Sequence, residues 1–258
     1  MKPASHHNDA MPEVTLNVRR FAPESGNGPR FEQHRVTVGE RASVLDALFA
    51  AQRGAAPDLA FRFSCRVGMC GSCVMVVNGR ERLTCSTLVK TVGTDLRIEP
   101  LRNLPVVRDL ATDMQPLFSA YQHALPYFTP REGLSEFEII PADSAAGKAM
   151  DHQPQCIDCG ACYSACSLVT LHPRYLGPMA LHRALTLVVD PRDAAPVERL
   201  EAIAGEAGAF RCHTLGNCRD ACPRNISPTA SIERLKRLAM GAQLRAFFSR
   251  IFGFGRSA

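Results

Sequence analysis

Apolar and polar residues alternate from the start of the readable chain. Val14, Leu16 and Val18 are separated by polar positions, the period-two signature of a half-buried strand. Glu24 to Pro29 is a turn cluster, and Phe31 to Val38 predicts a return strand. Ser43 then caps a helix that carries Val44, Leu45, Leu48 and Phe49 on one face. Val74 to Val77 and Arg80 to Thr84 flank Asn78-Gly79, a pair that predicts a hairpin with a type I′ turn. Leu96 to Ile98 supplies a last strand. Hairpin, helix, hairpin is the order of a β-grasp fold, and it assigns residues 13–100 to one small domain.

The pattern changes after Pro100. Residues 101–110, with Pro105, read as a linker. Beyond them the periodicity is helical, over Met114 to Leu125, Pro178 to Val189, Val197 to Ile203 and Ser227 to Leu238. Residues 127–150 are rich in proline, glycine and acidic residues and read as a surface crossing. The second domain, residues 111–240, is therefore expected to be helical, and the chain as a whole α+β. Residues 241–258 form an amphipathic tail. Leu244, Phe247, Phe248, Ile251 and Phe252 share a helical face, with Arg245, Arg250 and Arg256 available for lipid headgroups; packing on a partner subunit, or a frayed end, is the other reading of the tail.

At 258 residues there is room for two ordinary domains. Residues 1–12 lack the apolar stretch of a secretory signal and read as a flexible leader, with Met11 a second candidate start. No apolar run approaches the eighteen residues of a membrane span. The net charge of +5 is mild, and the lysines and arginines are spread along the chain without a base-stacking aromatic pattern. That distribution argues against nucleic acid as a partner. It fits an acidic protein or an anionic membrane surface.

The chemistry lies in eleven cysteines. An odd number without an export signal argues against a disulfide framework and for metal. Cys65, Cys70 and Cys73, followed by Cys85, give C-x4-C-x2-C…C, the plant-type 2Fe–2S spacing. Three thiolates on one tight loop grip one edge of a cluster, and Cys85 returns on the hairpin to close it. Gly68 and Gly71 permit the backbone angles that aim amides at sulfur. Zinc asks for paired knuckles a dozen or more residues apart, which three cysteines in nine residues fit poorly.

Cys156, Cys159, Cys162 and Cys166 follow the bacterial ferredoxin run C-x2-C-x2-C-x3-C. Cys212, Cys218, Cys222 and Pro223 repeat that spacing with Leu215 in place of the second cysteine. In two-cluster ferredoxins the fourth cysteine of each run ligates the other cluster. The exchange predicts a 4Fe–4S cluster on Cys156, Cys159, Cys162 and Cys222, and leaves Cys166, Cys212 and Cys218 for the last site. Every cysteine is then used. Three thiolates with an apolar residue at the fourth corner predict a 3Fe–4S cluster; His213, Asn217, Asp220 or water remains open as a fourth ligand to a 4Fe–4S cluster.

With these sites in this order, the chain resembles the iron–sulfur subunits of succinate dehydrogenase and quinol:fumarate reductase. The likeness spans residues 13–240 and includes S-C-R-V-G-M-C-G-S-C, L-P-V-V-R-D-L, C-I-D-C-G-A-C and R-C-H-T-L-G-N-C followed by C-P. It implies a β-grasp 2Fe–2S domain followed by a helical, bacterial-ferredoxin-like domain. It also implies a partner flavoprotein holding FAD, a membrane anchor with or without heme b, and a quinone at the anchor. The subunit would lie peripherally on the cytoplasmic face of the inner membrane and carry electrons, with no catalytic residue of its own. Consistent with that, it has no dinucleotide-binding G-x-G-x-x-G. The resemblance further implies that Ser167 and His213 stand near quinone. Ubiquinone-using relatives commonly carry proline after the last cysteine of the first ferredoxin run and a tryptophan a few residues on. Here Ser167 follows Cys166, and the chain has no tryptophan. His213 is the ubiquinone-type residue. The cluster subunit of another flavoenzyme, such as a hydroxyacid oxidase or thiol-linked fumarate reductase, is the other redox reading; a zinc-scaffolded interaction protein is the non-redox one.

Overall fold

Strand β1 (Glu13–Arg20) buries Val14, Leu16 and Val18 completely, as its alternation requires. It pairs antiparallel with β2 (Arg30–Thr37). Helix α1 (Val44–Arg53) follows, closed by a capping box in which the Asp46 amide donates to the Ser43 hydroxyl at 3.2 Å and the Ser43 amide donates to the Asp46 carboxylate at 2.8 Å. β3 (Val74–Val77) and β4 (Arg80–Leu83) form the second hairpin, joined by Asn78 at φ 50° and Gly79 at φ 81°, the left-handed pair of a type I′ turn. A one-turn α2 (Val89–Val92) leads into β5 (Asp95–Glu99), which runs parallel to β1. The sheet order is β2-β1-β5-β3-β4. Val44, Ala47, Leu48 and Ala51 of α1 pack on Leu16, Val36, Leu96 and Ile98 of the sheet. A fully buried leucine or valine in such a core contributes about 1.5–3 kcal/mol. The computed structural model describes residues 13–26, 28–133, 138–150 and 153–252. The leader (residues 1–12), Arg256 and the side chains of Arg250 and Phe252 lie outside them.

Residues 101–110 are not a free connector. Leu101, Leu104 and Leu110 are buried, and β6 (Val106–Arg108) pairs with β7 (Ala111–Thr112). The reason is one buried carboxylate. Asp109 accepts from Arg20 Nε at 3.0 Å, from the Phe21 amide at 3.0 Å and from the Ala60 amide at 2.9 Å. It ties this segment to the first compact unit, which ends at Asp113.

The second unit begins with α3 (Gln115–His123). The crossing after it carries a short helix, α4 (Ala145–Met150), and is held by a buried ion pair between Arg199 and Asp193. Arg199 also donates to the Leu125 and Tyr127 carbonyls, while Asp193 accepts from the Thr129 and Ala195 amides. Two short helices, α5 (Ala161–Ser164) and α6 (Ser167–Leu171), lie in the first ferredoxin run. α7 (Gly177–Val188) is the core helix, buried along most of its length, and α8 (Pro196–Ile203) packs beside it. α9 (Asn217–Asp220) is a single turn in the second run. α10 (Pro228–Phe252) buries Ile232, Leu235 and Ala239 and continues without a break at Gly241. Beyond Ala242 each of its described side chains is exposed, Leu244, Phe247, Phe248 and Ile251 among them.

Candidate metal centres

The first cysteine loop is wound around sulfur. The Cys65 sulfur accepts from the amides of Val67 (3.5 Å), Met69 (3.3 Å) and Cys70 (3.3 Å), and the Cys70 sulfur accepts from the Cys65 amide at 3.4 Å. Arg66, Gly68 and Gly71 all take positive φ to turn those amides inward. The Ser72 hydroxyl and the Cys65 amide lower the Cys70 thiol to about 6. Cys85 is pushed up to about 11, first by burial and then by the nearby Cys73, while the Gly68 amide pulls it back. The four cysteines predicted to share one cluster thus face one another across the loop and the start of the return segment.

The two ferredoxin runs have the same backbone cradle. Two residues after the first cysteine, Asp158 and Thr214 lie at φ 50° and 62°; two further on, Gly160 and Gly216 lie at 81° and 85°. Each glycine starts a four-residue helix, α5 or α9. Left-handed non-glycine residues are uncommon, so their recurrence marks one conformation built twice. Leu215 sits in the second cradle where Cys159 sits in the first.

The cradles exchange their last cysteines. Cys156, Cys159, Cys162 and Cys222 line one cavity, walled by Met179 and Ile226. Cys166, Cys212 and Cys218 line another, with Leu215, Asn217 and Tyr175. Burial raises the thiols of the first cavity, Cys156 to about 12, Cys159 to about 11 and Cys162 well above its ordinary value. Burial also raises Cys166 and Cys218, opposed by the Val169 and Leu168 amides at Cys166 and by the Thr229 hydroxyl at Cys218. The Thr229 oxygen is 3.1 Å from the Cys218 sulfur, and the Thr214 amide donates to the Cys212 sulfur at 3.4 Å.

These walls fit iron–sulfur clusters. Sulfurs gathered in a mostly apolar cavity, with amide and hydroxyl donors aimed at them, are the surroundings that hold and tune such clusters. Among the described residues, no three His, Cys, Asp or Glu side chains converge tightly enough for one metal ion. A tetrahedral zinc would draw its sulfurs to about 3.8 Å from one another.

The other candidates are placed less uniformly. Leu215 lines the cavity of Cys166, Cys212 and Cys218 and is 60% exposed, so it does not seal it. The Asn217 amide donates to the Ala165 carbonyl at 3.4 Å, and Asp220 pairs with Arg219 at 2.9 Å. Ser167 is exposed and lines the cavity of Cys166, Cys212 and Cys218; His213 is exposed beside Cys212. Sequence reasoning did not single out Ser72, Thr229, Tyr175 or the Tyr121–Asp158 contact beside Cys156. Ser72 and Asp158 lie inside cysteine motifs at positions the spacing leaves free, and Thr229, Tyr175 and Tyr121 lie in none.

Comparison with known proteins agrees with this architecture. Residues 15–119 match the 2Fe-2S iron-sulfur cluster binding domain, and residues 155–227 match the 4Fe-4S dicluster domain. Fold and cysteine sites therefore define a two-domain iron–sulfur protein. The fumarate reductase iron-sulfur subunit of Mycobacterium tuberculosis is 34% identical over 89% of this chain and 94% of its own length. The succinate dehydrogenase iron-sulfur subunit of Paracoccus denitrificans is 34% identical over 88% of this chain and 90% of its own. A chain of the Mycobacterium smegmatis Sdh1 complex in the apo form superposes with a TM-score of 0.80 at 29% identity, covering 90% of this chain and 97% of that one. The chain belongs to the family of succinate dehydrogenase and fumarate reductase iron–sulfur subunits.

Proposed function

We propose that this chain relays electrons between the FAD of a partner flavoprotein and a quinone at a membrane anchor, as part of a succinate/fumarate:quinone oxidoreductase. The observation that carries the reading is the sorting of eleven cysteines into four, four and three, with Leu215 in an intact cradle. Cys65, Cys70, Cys73 and Cys85 would hold a 2Fe–2S cluster. Cys156, Cys159, Cys162 and Cys222 would hold a 4Fe–4S cluster, and Cys166, Cys212 and Cys218 a 3Fe–4S cluster. Bound clusters supply the one-electron steps; the chain supplies thiolates, sulfur-directed donors and apolar walls that keep water out. Ser167 and His213 are the residues assigned to the quinone side. The dicarboxylate site belongs to the flavoprotein.

The tail bears on membrane attachment. No helix among the described residues is long and apolar enough to cross a membrane. Met240, Leu244, Phe247 and Ile251, each at least half exposed, recur along one face of α10. Residues 234–258 contain six lysines and arginines and no acidic residue, while residues 1–233 balance 24 basic against 25 acidic. The chain's positive excess is therefore concentrated beside its exposed apolar stripe. That pairing suits an anionic membrane interface.

Iron and acid-labile sulfide analysis with EPR of the anaerobically purified complex tests the assignment. Oxidised protein should give a near-isotropic 3Fe–4S signal, and reduction should bring up a 2Fe–2S signal. Zinc without labile sulfide ends the reading. Succinate-dependent quinone reduction by the complex separates it from the hydroxyacid and thiol-linked alternatives.

A further inference from the structure

Among the described residues the hydroxyl of Tyr175 has no well-formed hydrogen-bond partner, although the residue is only 2% exposed. A buried donor left alone costs stability, so native structures rarely keep one without use. Tyr175 lines the cavity of Cys166, Cys212 and Cys218. It also lines a polar cleft with His172, Arg174, Glu206 and Arg211, and is the one residue common to the two linings. Tyr175 thus stands between that cleft and the sulfurs. The backbone holds it there: the Tyr175 amide donates to the His172 carbonyl and the Leu176 amide to the Ala207 carbonyl, each at 2.9 Å. Cys212 lies close enough to the phenol for a weak side-chain hydrogen bond as well as an electrostatic interaction, but the two make no well-formed bond.

We infer that the Tyr175 hydroxyl donates a hydrogen bond to the cluster bound by Cys166, Cys212 and Cys218, to a sulfide or to the Cys212 thiolate, and thereby raises that cluster's reduction potential. A donor at sulfur stabilises the reduced, more negative form over the oxidised one. Tyr175 is a positioning and tuning residue, not a ligand. The inference rests on the ligand assignment above.

The test is an EPR-monitored redox titration of the assembled, cluster-loaded complex with Tyr175→Phe, which removes the hydroxyl and keeps the ring. The oxidised 3Fe–4S signal should persist at wild-type intensity while the equilibrium constant for its reduction falls about tenfold, about 59 mV for a one-electron couple. An unchanged midpoint in a loaded variant overturns the inference, since packing alone is preserved by phenylalanine. Should that variant load poorly, fluorotyrosine at position 175 decides: its more acidic phenol is a stronger donor and should raise the midpoint. No shift there overturns the inference equally. Proton ENDOR of the wild type should show an exchangeable coupling that Tyr175→Phe lacks. Absence of the oxidised signal in the wild type would instead sink the ligand assignment, a different failure.

Discussion

Arg20 and Asp109 meet 89 positions apart, Nε to Oδ1 at 3.0 Å, with both side chains almost sealed from water. Removing Asp109 strands the guanidinium's buried face and two backbone amides, those of Phe21 and Ala60. Asp109→Ala should therefore cost the first unit about 3–5 kcal/mol, the range for breaking a buried pair by deleting one partner. The outer partners of Arg20, Glu32 and Asp58, are 36% and 58% exposed, and their loss should cost far less. Chemical denaturation followed in the first unit checks the ranking.

Leu215→Cys should complete the second cradle. The variant is expected to gain about one iron per chain at that site and to lose the oxidised EPR signal. The potential of the site should fall, because a fourth thiolate adds negative charge. Persistence of the signal at full strength, with iron unchanged, refutes the assignment of Cys166, Cys212 and Cys218.

In the reduced, metal-free chain, Cys70 should be alkylated well ahead of Cys85. Thiolate is the nucleophile, and Cys70 titrates at about 6 whereas Cys85 titrates at about 11. The sign follows. Cys70 is ionised above about pH 6 and loses reactivity as pH falls through that value; Cys85 stays protonated until strongly alkaline pH. Iodoacetamide labelling with mass spectrometry between pH 5 and 9 reads both rates.

The α10 stripe should bind anionic vesicles and ignore neutral ones. A basic residue near an anionic surface contributes about 1 kcal/mol, so neutralising Arg245 and Arg250 together should cut partitioning roughly thirtyfold. Phe247→Glu with Ile251→Glu should abolish it. Sedimentation with vesicles at low and high salt measures these effects, and salt should weaken wild-type binding. Equal binding to neutral vesicles would refute the role of the arginines, and no binding to anionic vesicles would point to a protein partner for this face.

What the sequence made legible was whatever has a local period or a fixed spacing. The alternation of Val14, Leu16 and Val18, the Ser43 cap and the Asn78-Gly79 turn each determine their own element, and all three stand as read. The extra strand pair in residues 106–112 was not readable, because it is held by Asp109 reaching Arg20 and two distant amides, and a single aspartate carries no local signal. Helix α10 outran its expected end at Leu238 since Gly241 breaks the propensity pattern but not the helix. The cysteine groups were legible because ligands are periodic in sequence. Tyr175 and Thr229 were not: they reach the sulfurs from neighbouring segments, and only tertiary placement reveals them.

The exchange of last cysteines has a consequence for assembly. A cluster in either cavity staples the segment around residue 160 to the segment around residue 218, closing a loop that contains α7 and α8. Closing such a loop removes chain entropy once. Whichever cluster arrives first carries most of that entropic penalty, and the second finds its distant thiols already gathered. The two sites should fill as a pair, and partly loaded chains should be scarce.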